Sequence, residues 1–153
     1  MARVLALLAA IGVHSFAVAQ ASGPAQVDRI DVRLYYHHSG KLSEPIDDHS
    51  SLWNTIIGAG DAKEPSTSVL VDVIVKSTPD SFRPKTVVRL TVTSERSGKV
   101  ISQQTKNVGV YSAEGKYHVG FWLPNTGCDP LRLVARVQGG KDGAVHIPFK
   151  CGE

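Results

Sequence analysis

The sequence has only two cysteines, no C-x-x-C pair and no run of like charges. Without C-x-x-C spacing, neither a cysteine-based zinc site nor a redox-active cysteine pair is expected. Lysines and arginines are scattered along the chain, and the formal net charge is only +3. Binding to phosphate backbones needs a concentrated basic patch, so nucleic acid is not an expected partner.

Motifs for nucleophilic catalysis and for phosphate binding are also missing. The sequence has no G-x-S-x-G, although a Ser-His-Asp triad could still be assembled from distant loops. The glycine-rich segment IIGAGDA, residues 56–62, lacks the lysine and hydroxyl of a P-loop and the G-x-G-x-x-G of a dinucleotide site. We therefore expect neither an enzyme nor a cofactor, with a copper or zinc ion as the alternative.

The N-terminal residues 1–19 have the pattern of a secretory signal peptide. Arg3 is their only charge, an apolar run extends from Val4 to Val13, and Ala17-Val18-Ala19 provides a small-residue cleavage site. The apolar run is about half of the roughly 20 residues that a membrane-spanning helix needs. We expect cleavage after Ala19, a short linker at residues 20–26, and a secreted or periplasmic protein without membrane insertion after cleavage.

Alternating apolar and polar residues predict strands through most of the remaining chain. The first strand has apolar residues at alternate positions, namely Ile30, Val32, Leu34 and Tyr36. Further strand patterns occupy residues 68–75, 86–93, 100–111, 117–123, 131–137 and 144–149. About seven strands without a helical period predict an all-β, antiparallel β-sandwich of immunoglobulin or fibronectin type, with a small barrel or jelly roll as the alternative. One domain is expected over residues 27–153, with a long irregular connection at 37–68.

Cys128 and Cys151 are expected to form a disulfide bond in an oxidising compartment. The last two predicted strands are joined by QGGKDG, and a hairpin turn centred near Gly139 and Gly140 pairs residues whose numbers sum to about 279. The two cysteine numbers have that sum, so the hairpin should bring them opposite each other. Closing a loop of this length is expected to add roughly 3 kcal/mol of stability.

The stretch YYHHSGKLSEPIDDH concentrates side chains that bind transition metals. Imidazole and carboxylate groups suit copper(II) or zinc, and the candidate ligands are His37, His38, Asp47, Asp48 and His49. Neighbouring residues of an extended chain point to opposite faces, so the two adjacent histidines can share one ion only if the backbone bends after them. The alternative is a solvated loop in which one of the aspartates caps a turn.

Aromatic residues on an exposed sheet face are the remaining candidates for binding. In YHVGFWL, residues 117–123, the core face should hold the alternate residues beginning with Tyr117, which places His118 and Trp122 on the opposite face. Together with Trp53 they form a candidate contact surface for a protein or carbohydrate ligand. Alternatively, Trp122 covers Gly120 or is buried under the connection that contains Trp53. The expected function is an exported, non-enzymatic binding or accessory protein, with a periplasmic copper- or zinc-binding protein as the alternative.

Overall fold

The computed structural model describes residues 23–152. The predicted signal peptide and the first residues of the predicted linker lie outside this part of the chain. The described residues form eight strands, β1 (Gln26–Tyr36), β2 (Lys41–Leu42), β3 (Ser68–Lys76), β4 (Ser81–Ser94), β5 (Val100–Ser112), β6 (Lys116–Pro124), β7 (Leu131–Val137) and β8 (Gly143–Ile147). A turn of 3₁₀-helix at Thr55–Ile57 is the only helical element that they contain.

The strands form two antiparallel sheets, ordered β2-β1-β3-β6 and β5-β4-β7-β8. The period-two patterns explain both sheets, because alternate residues of a strand face the partner sheet and the remaining ones face solvent. The predicted antiparallel β-sandwich is thus confirmed. Its additional strand is the two-residue β2, which lies inside the predicted long connection and pairs with the end of β1.

The core lies between the two sheets and is built from the alternating apolar positions. Its largest fully buried side chains are Phe121, Phe149, Leu34, Leu52, Leu90, Leu131, Leu133 and Ile147. On β6 the predicted core face is observed: Val119, Phe121 and Leu123 are at most 3% exposed, and Tyr117 packs at the margin of the core. The same parity places the remaining side chains of β6 on the outer face of its sheet.

The polar strand β5 lies at the edge of its sheet. Two of its side chains reach across to β6, which is the edge strand of the other sheet. Gln104 donates from Nε2 to the carbonyl oxygen of Trp122 at 2.8 Å, and Lys106 donates from Nζ to the carbonyl oxygen of Gly120. These side chains give partners to backbone carbonyls that an edge strand leaves unpaired, and they link the two sheets.

The connection between β1 and β3 is fastened to the sandwich at several points. Ile46 forms an isolated bridge with Val32, and Trp53 forms another with Lys150. Leu52 adds a buried side chain to the core. Gly60 has a φ of +66°, and a side chain there would collide with the carbonyl oxygen of Ser51, so glycine is needed for this close approach. The connection is irregular in conformation, and these contacts hold it against the sheets.

The β7–β8 hairpin is closed beyond its open end by the predicted disulfide bond. Leu131 pairs with Ile147, one residue away from the predicted register. Cys128 and Cys151 are bonded, with their Cα atoms 4.7 Å apart. Such a bond is typical of proteins that fold in oxidising compartments. Within residues 23–152, no helix has the length and hydropathy of a membrane span.

Candidate functional site

An aromatic cluster lies on the outer face of the β2-β1-β3-β6 sheet. Trp122 points outward from β6 and is 44% exposed. Its ring meets that of Tyr35 edge-to-face, with the centroids 5.0 Å apart, and the ring of His37 lies 5.3 Å from Tyr35 on an almost perpendicular plane. We call Tyr35, His37 and Trp122 the aromatic platform. The separations fall in the range in which edge-to-face contacts between aromatic rings are favourable.

The strand register explains why these rings meet. Trp122 is paired with Leu70 of β3, which is paired in turn with Arg33 of β1. Tyr35 lies two residues beyond Arg33 on the same face, so it is diagonal to the tryptophan across β3, and the two large rings meet over the intervening strand. Leu42, which pairs with Tyr35, is 43% exposed and extends the apolar surface to the sheet edge.

His37 is held by the residue that precedes β3. Its Nε2 atom accepts a hydrogen bond from the backbone N–H of Thr67 at 3.2 Å and lies 2.8 Å from the threonine hydroxyl oxygen. Because a backbone N–H can only donate, the ring uses Nε2 as an acceptor, and its proton is on Nδ1. The imidazole therefore has a defined orientation against Tyr35 rather than a free position at the strand end.

Gly120 leaves space beside Trp122 on the outer face of β6. A Cβ atom at this position would have only one close neighbour, Cδ1 of Leu70 at 3.5 Å. The side chain beside the glycine is thus a leucine from β3, so the alternative in which Trp122 covers Gly120 is not what the structure shows. With its large exposed fraction, the tryptophan belongs to the surface.

A polar pair lies on the same sheet face, farther along β3 and β6 from Trp122. Nδ1 of His118 lies 2.7 Å from Oδ2 of Asp72, and the imidazole is largely exposed. The other carboxylate oxygen of Asp72, Oδ1, is shielded from solvent and has no hydrogen-bond partner among residues 23–152. Asp72 stands directly opposite Asp31 of β1, whose carboxylate is 2.8 Å from Nε of Arg29. The exposed part of this pair, mainly the imidazole of His118, can hydrogen-bond to a polar ligand.

The His118–Asp72 pair resembles two members of a catalytic triad, in which a carboxylate orients a histidine. A triad also needs a nucleophile within hydrogen-bond reach of the imidazole. In the described part of the chain, the only side chain that hydrogen-bonds to His118 is that of Asp72. The geometry here orients a histidine at the surface and brings no serine to it.

Trp53 lies elsewhere, beside the C-terminal residues. It bridges to Lys150, and atoms of its indole lie within 3.0–3.4 Å of where a Cβ atom of Gly152 would be. The backbone N–H of Gly152 donates to Oδ1 of Asn54 at 3.0 Å. Trp53 is 49% exposed, yet its contacts are with the chain end and not with the aromatic platform.

Of the five residues predicted as metal ligands, Asp47, Asp48 and His49 contact one another in one turn, and His37 is bonded to a different part of the chain. Oδ1 of Asp47 accepts hydrogen bonds from the backbone N–H of His49 at 2.9 Å and from the Ser50 hydroxyl at 3.1 Å, which closes a turn. The His49 hydrogen bond, followed by that of Ser50, lowers the pKa of Asp47. His49 also lies 3.6 Å from Asp48, while His37 is bonded to Thr67.

Across residues 23–152, no group of three or more histidine, cysteine, aspartate or glutamate side chains is arranged to hold a metal ion. An ion at His37 would have to displace the hydrogen bond from Thr67, because that bond uses the lone pair a metal needs. His38 is exposed at the strand end. The copper or zinc site therefore stays a prediction from the sequence.

The sequence made Trp122 and His118 candidates for a contact surface and gave no sign of the contacts that Tyr35 and Gln104 make. Tyr35 is at an outward-facing position of β1, which the alternation of the strand predicts. Its contact with Trp122, however, depends on the order of the strands in the sheet. Gln104 is one of several polar residues in β5, and nothing in the sequence distinguishes it as the residue that reaches β6. Both contacts are products of the sheet topology.

The fold defines a class, the antiparallel β-sandwiches, here with an aromatic surface on one sheet. No family model matches the chain, and no curated protein matches it. Among solved structures, the chain is similar to a cycloisomaltooligosaccharide glucanotransferase of Paenibacillus sp. complexed with cycloisomaltoheptaose, with a TM-score of 0.53 and 11% identity over 85% of this chain. A β-glucuronidase from glycoside hydrolase family 2 is similar over 54% of this chain, with 12% identity and a TM-score of 0.43.

The likenesses cover small parts of much larger proteins. This chain spans 14% of the glucanotransferase and 10% of the β-glucuronidase. At 11% identity, the likeness to the glucanotransferase shows a shared β-sandwich fold.

Proposed function

We propose that this protein is an exported, non-enzymatic carbohydrate-binding domain and that the aromatic platform is its contact surface. The observation that carries the proposal is the pair of mutually oriented rings, Tyr35 and Trp122, on the solvent face of a sheet. A large exposed aromatic side chain on a rigid strand is costly to leave in water, and such sites are commonly binding surfaces.

The composition of the surface suits a sugar. One face of a pyranose ring presents C–H groups that pack against aromatic carbon, while its hydroxyl groups need donors and acceptors nearby. Along the same sheet face, the sheet supplies a carboxylate at Asp72, opposite Gly120, and an imidazole at His118, four residues before Trp122 on β6. Apolar surface with a few well-placed polar groups is the usual make-up of a small-molecule site.

The likeness to part of a glucanotransferase complexed with a cyclic oligosaccharide gives secondary support. Since the shared feature is the fold, the argument for a sugar ligand rests on the surface chemistry of this chain. The disulfide bond between Cys128 and Cys151 fits an exported protein, which would meet extracellular or cell-wall polysaccharides.

The test is affinity gel electrophoresis of residues 20–153 through gels that contain soluble polysaccharides. Dextran, starch, xylan and hydroxyethyl cellulose are the neutral probes, and alginate is the anionic probe. The parent protein is expected to be retarded by at least one neutral polysaccharide. Trp122→Ala should lose about tenfold or more in affinity, the effect of removing a central aromatic contact.

Phe82→Ala is the matched control. Phe82 is 67% exposed and lies on β4, in the other sheet. Its removal should leave retardation unchanged, because the proposed contact surface is on the β2-β1-β3-β6 sheet. Equal losses in the two variants would refute the assignment of the surface. Migration unaffected by every polysaccharide would refute a carbohydrate ligand and leave a protein partner to be sought.

A further inference from the structure

A groove of about 680 Å³ opens at the end of the sandwich between the edges of β5 and β6. Its apolar lining consists of Ile56, Ile101, Leu123, Pro124 and Leu131. Polar side chains from the β6–β7 loop complete it. The volume falls within the usual range for small-molecule sites, and the mixed lining resembles that of such sites more than a purely apolar docking face.

An unsatisfied acceptor lies in this groove. Oδ1 of Asp129 is shielded from solvent and makes no hydrogen bond within the described part of the chain. Nε of Arg96 is 3.7 Å away, which is within the range of an ion pair but too long for a hydrogen bond. The Asp129 side chain as a whole is 36% exposed, so a ligand hydroxyl can reach the carboxylate, and a hydrogen bond to a charged group is a strong one.

The β6–β7 loop is held in place around this acceptor. Cys128, the residue before Asp129, is fixed to Cys151 by the disulfide bond. Thr126 donates its backbone N–H to the carbonyl oxygen of Thr67 at 2.9 Å. Gly127 has a φ of +124° and lies so close to the 3₁₀-helix that a Cβ atom would be only 2.9 Å from Oγ1 of Thr55. The groove wall is therefore fixed before any ligand binds, which lowers the entropic cost of binding.

The groove borders the aromatic platform at Thr67 and at the end of β6. Leu123 and Pro124, which line it, directly follow Trp122 on β6, and the carbonyl oxygen of Trp122 accepts the hydrogen bond from Gln104 of β5. Thr67 also lines the groove while it holds His37 of the platform. A chain molecule lying on Trp122 can therefore extend past the end of β6 into the groove.

We infer that the groove is a second sugar subsite and that the ligand is a neutral oligosaccharide chain whose neighbouring unit donates a hydroxyl to Asp129. This inference rests on the proposed carbohydrate-binding function. Carboxylates lie on both sides of Trp122, Asp72 opposite Gly120 on the sheet face and Asp129 in the groove lining. They accept from sugar hydroxyls and repel uronic acids or sulfated sugars, which makes a neutral glycan the expected class.

Isothermal titration calorimetry with gluco-oligosaccharides of increasing length tests the inference. The probes are glucose and the isomalto-, malto- and cello-oligosaccharides up to the heptasaccharide. Affinity in the parent protein should rise with chain length for one linkage series. In Asp129→Ala, long chains should bind about tenfold more weakly, the effect of losing a hydrogen bond to a charged group, while the shortest binding chain is unaffected.

Arg96→Ala is the matched control, because it removes the ion pair and keeps the carboxylate. It should retain the dependence on chain length. Ile101→Lys provides a second perturbation at a half-exposed position of the groove wall, in case Asp129→Ala fails to fold, and it should also weaken only the longer chains. Circular dichroism and thermal unfolding establish that each variant is folded.

The outcomes separate the two claims. Affinity that is independent of chain length in the parent, but abolished in Trp122→Ala, would overturn the second subsite and leave the platform as a binding surface. The same would follow if Asp129→Ala and Ile101→Lys bound long chains as the parent does. Absence of binding to every oligosaccharide would overturn both the carbohydrate function and the subsite.

Discussion

The contact between Tyr35 and Trp122 makes a quantitative prediction through a double-mutant cycle. The perturbations are Tyr35→Ala, Trp122→Ala and the double variant. The rings meet edge-to-face with centroids 5.0 Å apart. Such pairs contribute about 0.5–1.5 kcal/mol beyond their buried area. We therefore expect a coupling free energy of about 1 kcal/mol between the two substitutions.

Each single substitution should lower the free energy of unfolding by more than the coupling free energy, because each also removes buried apolar area. Replacing a fully buried tryptophan by alanine costs about 3–5 kcal/mol. Trp122 is 44% exposed, so we expect a loss of roughly 2 kcal/mol for Trp122→Ala. A loss of this size leaves the variant folded at room temperature, so binding and stability can be measured on the same protein.

The free energies of unfolding are measured by urea denaturation monitored by circular dichroism, with a common m-value as the check for two-state behaviour. A control cycle between Trp122 and Phe82, which lie on different sheets, should give additive losses within about 0.5 kcal/mol. If the losses of unfolding free energy from Tyr35→Ala and Trp122→Ala are also additive, the rings do not touch in solution and the platform is not preformed. The reasoning about the binding surface would then fail at its first step.

Three further predictions concern the disulfide bond, the turn at Asp47 and the metal hypothesis. Replacing Cys128 and Cys151 together by alanine should reduce the free energy of unfolding by about 3 kcal/mol in chemical denaturation; an unchanged denaturation midpoint would contradict this. Asp47 has a lowered pKa in the folded protein. The stabilisation that its ionised carboxylate gives to the fold is therefore present above the ordinary pKa of aspartate and is lost as the pH falls below about 4. The Tm of Asp47→Ala should thus lie below that of the parent at pH 7, and the difference should shrink steadily as the pH falls below the ordinary pKa of aspartate; a constant difference would show that ionisation is not involved. In thermal-shift titrations with copper(II) and zinc, a ligand set that includes His37 would give a saturable rise in Tm at pH 7.5 that disappears at pH 5.5 and in His37→Ala. Because His37 is bonded to Thr67 and not grouped with Asp47, Asp48 and His49, we expect no such rise.

The strands and their inward faces could be predicted from the sequence because burial imposes a period of two. Val32 and Leu34 of β1 and Phe121 of β6 are buried as the alternation requires. The disulfide partners could be paired because a hairpin brings residues at equal distances from its turn together. These features depend on local sequence and on short-range pairing.

The candidate site could be predicted only in part, since it depends on which strands are neighbours. β3 separates β1 from β6 in the sheet, and this order brings Tyr35 to Trp122, although they are far apart in the sequence. The groove at Asp129 likewise forms where β5 and β6 approach each other at the edge of the sandwich. The sequence shows which face of its strand each residue occupies, but it does not show which residues of distant strands are its neighbours.

The most direct test of the central claim uses the two tryptophans of the chain, Trp53 and Trp122. In a ¹H–¹⁵N correlation spectrum each indole N–H gives one signal, which is assigned by Trp53→Phe and Trp122→Phe. The probe is the neutral oligosaccharide with the highest affinity in calorimetry. Binding on the aromatic platform should give a progressive, saturable shift of the Trp122 indole signal and leave the Trp53 signal stationary. Movement of the Trp53 signal with Trp122 unmoved would contradict the account, since the sugar would then bind near the C-terminal residues and not on the aromatic platform.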